Sequence, residues 1–181
     1  MTKISCVVAD AQKKRSYSLG PIITDISYET TMLNQPGKLT VRVAESRRID
    51  FKEGSVLYLR VGGYKMFRGY VFTIRKAPHS TEIICYDKIR YLGSQDAVVM
   101  SSTSVRKVVS YVSSKTGVKI SFPTKKTGTR SLGKKVFDGQ SHFQMIKWAC
   151  DEHLKRSKNM LIIRDVWGKV KILDVSKLTV S

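Results

Sequence analysis

Apolar and polar side chains alternate in short runs through the first half of the chain. The clearest run is residues 38–44, KLTVRVA, with Leu39, Val41 and Val43 on one side and Lys38, Thr40 and Arg42 on the other. A period of two marks a half-buried strand. Weaker alternation over residues 3–9 and the stretch IITDISY at 22–28 read as two further strands. Residues 10–18 are polar and basic, suited to a loop or hairpin tip, and residues 29–36 form a turn-prone connection. Residues 46–52 read as a charged loop with Ile49 and Phe51 as its expected anchors.

Three runs rich in Val, Ile, Tyr and Phe then follow at 56–61, 65–74 and 81–86. Gly62-Gly63 joins the first two and supplies the positive φ angles of a tight hairpin turn. Ala77-Pro78-His79-Ser80 joins the next two, and proline ends ladder pairing because it has no N–H to donate. The stretch is a three-stranded antiparallel meander. Asp87 is placed to cap the turn into residues 88–92. Six strands within about 90 residues, mostly antiparallel by connection length, predict a small barrel or sandwich.

The period changes beyond Tyr91. In residues 103–115, Val105, Val108, Val109 and Val112 share one helical face, with Tyr111 at its edge. Thr103 or Ser104 can cap the start, and Gly117 can stop the helix in a left-handed conformation. Four valines make a poor helix by propensity, so a strand competes for the same residues. Residues 118–122 are a short extended piece ended by Pro123. Residues 124–135, TKKTGTRSLGKK, read as an exposed, mobile basic loop. A second helix is expected over 141–155, with Phe143, Met145, Ile146, Ala149, Cys150 and Leu154 inward. Residues 159–164 and 169–173 form a hairpin around Asp165-Val166-Trp167-Gly168, followed by a tail carrying Leu178 and Val180. The expected fold is α+β and mainly β. An N-terminal antiparallel β-barrel at 1–95 precedes an α+β domain at 96–181, with two helices, a β-hairpin and a basic linker at 124–135.

Charge adds the next feature. The chain has 33 basic and 14 acidic side chains, a formal +19. Residues 101–137 hold nine of the cations and no acid: Arg106, Lys107, Lys115, Lys119, Lys125, Lys126, Arg130, Lys134 and Lys135. Such a field attracts polyanions, and these nine form the candidate surface for a partner or polyanion. Charge alone equally describes a solvated face.

Catalytic patterns are absent. The sequence has no GxSxG, Walker loop, HExxH or GxGxxG, and Gly62-Gly63 joins strands without opening a helix. Asp87, Asp138, Asp151 and Glu152 are scattered, so no carboxylate pair flanks a bond for glycoside hydrolysis. His142, Cys150 and His153 lie on one helical face, but their spacing matches no zinc pattern. Cys6, Cys85 and Cys150 are odd in number, far apart and set in apolar runs, which suggests reduced, buried thiols. No catalytic residue, metal ligand or cofactor is assigned. No apolar run approaches about eighteen residues and the first ten residues do not make a signal peptide, so folding in a cytoplasm without membrane insertion is expected. Tyr64, Phe67 and Tyr70 on a small β-barrel suggest an oligonucleotide-binding surface, although core packing accounts for Phe67 and Tyr70.

The order of motifs carries a resemblance. Gly54-Ser55-Val56-Leu57 is followed by Met66-Phe67-Arg68-Gly69-Tyr70-Val71-Phe72, then by Tyr86-Asp87-Lys88-Ile89-Arg90-Tyr91-Leu92. A helix, a basic linker, Phe137-Asp138-Gly139-Gln140-Ser141, a second helix and Trp167-Gly168-Lys169-Val170 complete the series. Over about residues 4–173 this resembles the baseplate hub proteins of contractile phage tails, the PBSX-prophage-like and late-control-D-like group, found also in phage-tail-like bacteriocins. The resemblance implies a structural, non-enzymatic part of a phage tail or tail-like particle, assembled in the bacterial cytoplasm. Similar hubs are trimers in which each chain supplies two tube-like barrels, and the ring joins the hexameric tail tube to a trimeric spike. The implied partners are the tail tube protein, the spike and other baseplate proteins, with DNA in the lumen a further candidate. Hubs of this kind run on to a second barrel, whereas this sequence covers the first barrel and the helical portion. It reads as a compact hub or a part of one, with a trimer expected and a hexameric ring as the alternative. A basic polyanion-binding module, for nucleic acid or a cell-wall polymer, is the competing reading, and a cell-wall hydrolase a weaker one.

Overall fold

The computed structural model describes residues 3–10, 12, 14–30, 35–44 and 50–178. The expected anchor Ile49, much of the 29–36 connection and of the 46–52 loop, and Val180 in the tail lie outside them. The chain divides into two compact units, one built on residues up to Asp87 and the other from Lys88 onward.

The first unit is a single seven-stranded sheet, antiparallel throughout. Its strands are β1 (Ile4–Asp10), β2 (Arg15–Ser18), β3 (Ile23–Glu29), β4 (Lys38–Ala44), β5 (Val56–Val61), β6 (Tyr64–Ala77) and β7 (Ser80–Tyr86). Their order is β2-β1-β5-β6-β7-β4-β3. The expected meander is its centre. Gly62 and Gly63 turn β5 into β6 with φ of 59° and 86°. Residues 15–18, expected as loop or hairpin tip, instead pair with β1 as a short edge strand. Tyr17 accounts for this, lying 6.1 Å from the Phe51 ring and donating its hydroxyl to Asp50 O at 3.1 Å.

β6 carries an extra residue at Met66 and another at Phe72, where the register slips against β5 and β7. Bulges of this kind bend a strand and raise its twist. The sheet curls accordingly: the Tyr28 ring on β3 meets Phe67 on β6 edge-on at 5.5 Å, across two intervening strands. The concave face holds Cys6, Val8, Leu39, Val41, Leu57, Phe67, Val71, Ile83 and Cys85. The end strands β2 and β3 are not paired with each other among the described residues, so the sheet is curled but open. Core packing was expected to account for both Phe67 and Tyr70, but Tyr70 points to the opposite face, because an odd spacing along a strand reverses direction.

The second unit opens with a 3-10 turn at Lys88–Gly93 that buries Ile89 and Leu92. It continues with β8 (Gln95–Thr103), α1 (Val105–Thr116), β9 (Ile120–Ser121), β10 (Gly133–Ser141), α2 (His142–Ser157), β11 (Leu161–Val166) and β12 (Lys169–Asp174). Both helices form where the sequence places them. Ser104 accepts the Lys107 N–H, and Gly117 ends α1 at φ 71°. Ser141 and Gln144 make a reciprocal capping box on α2. The four valines of α1 are buried against Met145, Ile146, Ala149 and Cys150 of α2, and this packing overrides their low propensity. The β11–β12 hairpin turns through Trp167 and Gly168, both at positive φ, and β9 adds to β12 in parallel.

The β8–β10 ribbon was not expected. Residues 133–135 belong to its second strand rather than to a mobile loop. Its inner face carries Val98, Met100 and Phe137 into the core, while Val99 and Val136 face each other on the outside at 74% and 59% exposure.

Candidate functional site

The nine cations expected to form one basic surface separate into groups with different work. α1 turns its valines inward and leaves Lys107 and Lys115 exposed and Arg106 half-buried. Arg106 is committed to the fold. Its guanidinium lies 4.2 Å from the Phe122 ring centroid and donates to Thr124 O at 2.7 Å and Thr127 O at 3.3 Å. Its backbone N–H donates to Gly128 O at 3.0 Å. Gly128 adopts φ 73°, and a Cβ there would come to 3.0 Å from Val105 and 3.2 Å from Phe122. Residues 123–129 are therefore tied down by Arg106. The Lys107 ammonium donates to Ser102 Oγ at 3.1 Å, and that of Lys115 lies 5.6 Å from the Tyr111 ring.

Lys119, Lys125, Lys126, Arg130 and Lys134 are exposed. Lys135 lies over Trp148 at 5.1 Å and Phe137 at 5.9 Å. The structure adds two cations that sequence reasoning missed. The last turn of α2 brings Arg156 Nη1 within 3.5 Å of Ser131 O and pairs Lys155 with Glu152 at 2.6 Å. The bond from Lys155 is the main reason the Glu152 carboxyl is held below its usual range, and the charges of Lys155, Arg156 and Lys135 add to it. Lysine and arginine in a last helical turn are a readable signal, but their meeting with residues 130–135 is a tertiary contact.

The other polar cluster joins β8 to both helices. Tyr111 donates to Asp96 Oδ2 at 2.6 Å, Ser94 Oγ lies 2.9 Å from His142 Nδ1, and His142 Nε2 lies 3.5 Å from Asp96 Oδ2. The Asp96 bond pushes Tyr111 up to about 12, and the same bond leads the causes holding the Asp96 carboxyl low. Serine, histidine and aspartate in a row suggest a nucleophile relay, but a relay histidine must pass a proton to a bound substrate. This ring is 4% exposed although Ser94 is exposed, and the bonds of the cluster tie β8 to both helices.

His153 is buried at the far end of α2. Eleven residues of helix separate it from His142 by about 16 Å, so the two cannot share an ion. Burial lowers the His153 pKa, nearby Arg130 lowers it further, and Asp174 partly opposes them. Burial pushes the Cys6 and Cys150 thiols up to about 12 and Cys85 higher still, which leaves them protonated and unreactive at neutral pH. The Asp87 carboxylate accepts the Gly37 N–H at 2.8 Å, and Gly37 O accepts the Asp87 N–H at 3.1 Å. Asp87 thus latches the end of β7 to the start of β4.

Solved structures share this fold. The 43 kDa tail protein of prophage MuSo2 from Shewanella oneidensis superposes at a TM-score of 0.68 with 15% identity, over 95% of this chain and 53% of that one. A tail protein from Neisseria meningitidis gives 0.68 and 11%, over 93% and 50%. An Escherichia coli component of the type VI secretion system, similar to the T4 tail proteins gp27 and gp5, gives 0.55 and 10%, over 84% and 48%. The chain thus spans about half the length of the solved structures it matches. No curated protein matches the sequence. A family model described as YQBQ-like matches residues 26–181, and the chain belongs to that family.

Proposed function

We propose that this chain is a structural component of a contractile tail, in the baseplate hub that joins the tail tube to the central spike. The observation that carries this reading is the fold itself. A curled seven-stranded sheet followed by the helical unit matches phage tail proteins over nearly the whole chain. The open curl suits ring building. β2 and β3 present edges that a neighbouring copy can pair or cover, and closure of a ring removes such edges. A homo-oligomer follows, a trimer in preference to a hexamer, with each copy's sheet completing a barrel-like segment of the ring. Its partners are the tube, spike and other baseplate proteins, its work is assembly rather than catalysis, and its place is the virion or a tail-like particle.

The test is light scattering of the purified chain, alone and with the neighbouring tail proteins, backed by cryo-electron microscopy of the native particle. Three or six copies at the distal end of the tube are expected. A persistent monomer that ignores the tail proteins, and is missing from the particle, would overturn the proposal.

A further inference from the structure

We propose that Arg130, Lys135, Lys155 and Arg156, extended by Lys125 and Lys126, form a ridge that binds a phosphodiester polyanion through its backbone. This goes beyond the tail role and does not depend on it. The ridge exists only in the folded chain. Arg156 reaches to within 3.5 Å of Ser131 O, which sets the last turn of α2 against the residues around Arg130. Lys135 lies 5.1 Å over Trp148, one turn before Glu152, and Lys155 lies 2.6 Å from Glu152. Arg106 holds the loop that displays Lys125 and Lys126.

The acids on α2 add little repulsion of an anion, while Asp138 stands exposed at the end of the acid-free run. The nearby acids on α2 are already engaged, Glu152 with Lys155 at 2.6 Å and Asp151 with Lys147 at 2.7 Å. No acid occurs between residues 101 and 137. Lys125, Lys126 and Arg130 are exposed, and Arg130 lies near enough to His153 to lower its pKa.

The chemistry of the ridge separates the anions it could take. A protein partner is anchored by aromatic and large apolar groups that become fully desolvated. Single-stranded nucleic acid is held largely by bases stacked on exposed rings. Among the described residues from 122 to 158, no aromatic side chain is exposed. The exposed apolar groups there are aliphatic, Val136, which faces Val99 across the β8–β10 ribbon, and Leu154, which was expected to face inward. Separated cations without such anchors fit a chain of regularly spaced phosphates, bound by release of its counterions. Duplex DNA and a poly(glycerol phosphate) wall polymer share that chemistry.

The test is fluorescence anisotropy on the full chain, with a labelled 30-base-pair duplex, a labelled poly(glycerol phosphate) wall polymer and poly-L-glutamate as probes. Four to six phosphate contacts predict that raising salt from about 50 to 200 mM weakens binding by about 10²–10³-fold. Arg130→Gln, Lys135→Gln, Lys155→Gln and Arg156→Gln together are expected to weaken binding at least tenfold more than Lys52→Gln, Lys76→Gln, Lys169→Gln and Lys177→Gln, which remove the same charge elsewhere. Should the ridge variant fail to fold, Lys125→Gln, Lys126→Gln and Arg130→Gln change only exposed side chains and are expected to weaken binding about tenfold. Binding to the duplex alone, the wall polymer alone, or both supports the proposal and identifies the source of the phosphate. Equal losses in the ridge and control variants, salt-independent binding, no binding, or equal affinity for poly-L-glutamate would each overturn it. The last result would point to an acidic protein instead.

Discussion

Gly69 on β6 sits against Tyr86 O of β7 and the Phe67 ring of its own strand, and it illustrates how much one hydrogen can decide. A Cβ there would fall inside the van der Waals radii of both Tyr86 O and the Phe67 ring. The glycine of the Phe67-Arg68-Gly69-Tyr70-Val71 motif is therefore required by packing. Gly69→Ala is expected to cost about 1–3 kcal/mol, the range for overpacking a filled core. Gly20→Ala, whose Cβ would meet Ile4 O at an ordinary 3.5 Å, is expected to change stability by less than about 0.5 kcal/mol. Urea unfolding of both variants checks the contrast, and equal effects would refute the close approach. His153 supplies a pH dependence at the same scale. Its folded pKa is lowered by burial and by Arg130, against a smaller opposing effect of Asp174. As pH falls the unfolded chain takes up its proton first, so this contribution is complete above about pH 6.5 and shrinks as pH drops toward the folded value. Asp96 and Asp174, whose carboxyls are held low, keep their contributions until pH falls below about 4. The window from pH 5 to 7 therefore reports histidine. His153→Asn is expected to flatten stability against pH there, and an unchanged slope would assign it to another group.

α1 shows what an element needs beyond its own propensity. Its start at Ser104, its stop at Gly117 and its valine face were legible because caps and periodicity are local. The central hairpins were legible for the same reason. β8 and β10 were not. Their Val99 and Val136 point outward, β10 begins at a glycine, and the pair slips register twice, so neither strand shows a clean period of two. The candidate surface was legible as charge sign and illegible as geometry. Nothing local shows that Arg106 turns back to clamp a loop or that Arg156 reaches Ser131. The clamp gives a prediction at this scale. Arg106→Ala removes the donors to Thr124 O and Thr127 O and the stacking on Phe122. Hydrogen bonds of about 1 kcal/mol each and a stacked guanidinium imply local opening rather than global unfolding. Trypsin is expected to cleave after Lys125 and Lys126 at least about tenfold faster, with near-unchanged global stability by urea unfolding. Unchanged cleavage would show that the loop holds its form without the arginine.

At the scale of the whole chain the decisive feature is that, among the described residues, no buried side chain belongs to both hydrophobic clusters. Leu57 lies in the concave face of the curled sheet and Ile146 at the meeting of α1 and α2, both fully buried. Each cluster closes within its own unit, and stability in small folds comes mainly from such burial. Two cores of this kind predict two cooperative transitions in calorimetry. Leu57→Ala removes apolar contact from one core alone and should cost about 2–5 kcal/mol there. In a unit of this size each kcal/mol lowers Tm by about 4–8 °C, so one transition should move by at least about 8 °C while the other stays in place. Ile146→Ala should produce the complementary shift. A single transition displaced by both substitutions would mean that the cores melt as one, and that any partner seated on either unit stabilises the whole chain. Two independent transitions would mean instead that a partner on the sheet raises only the first and an anion on the ridge only the second, because ligand binding stabilises just the structure it requires. The same calorimetry, repeated with tail proteins and with duplex DNA, then assigns assembly and anion binding to separate halves of the molecule.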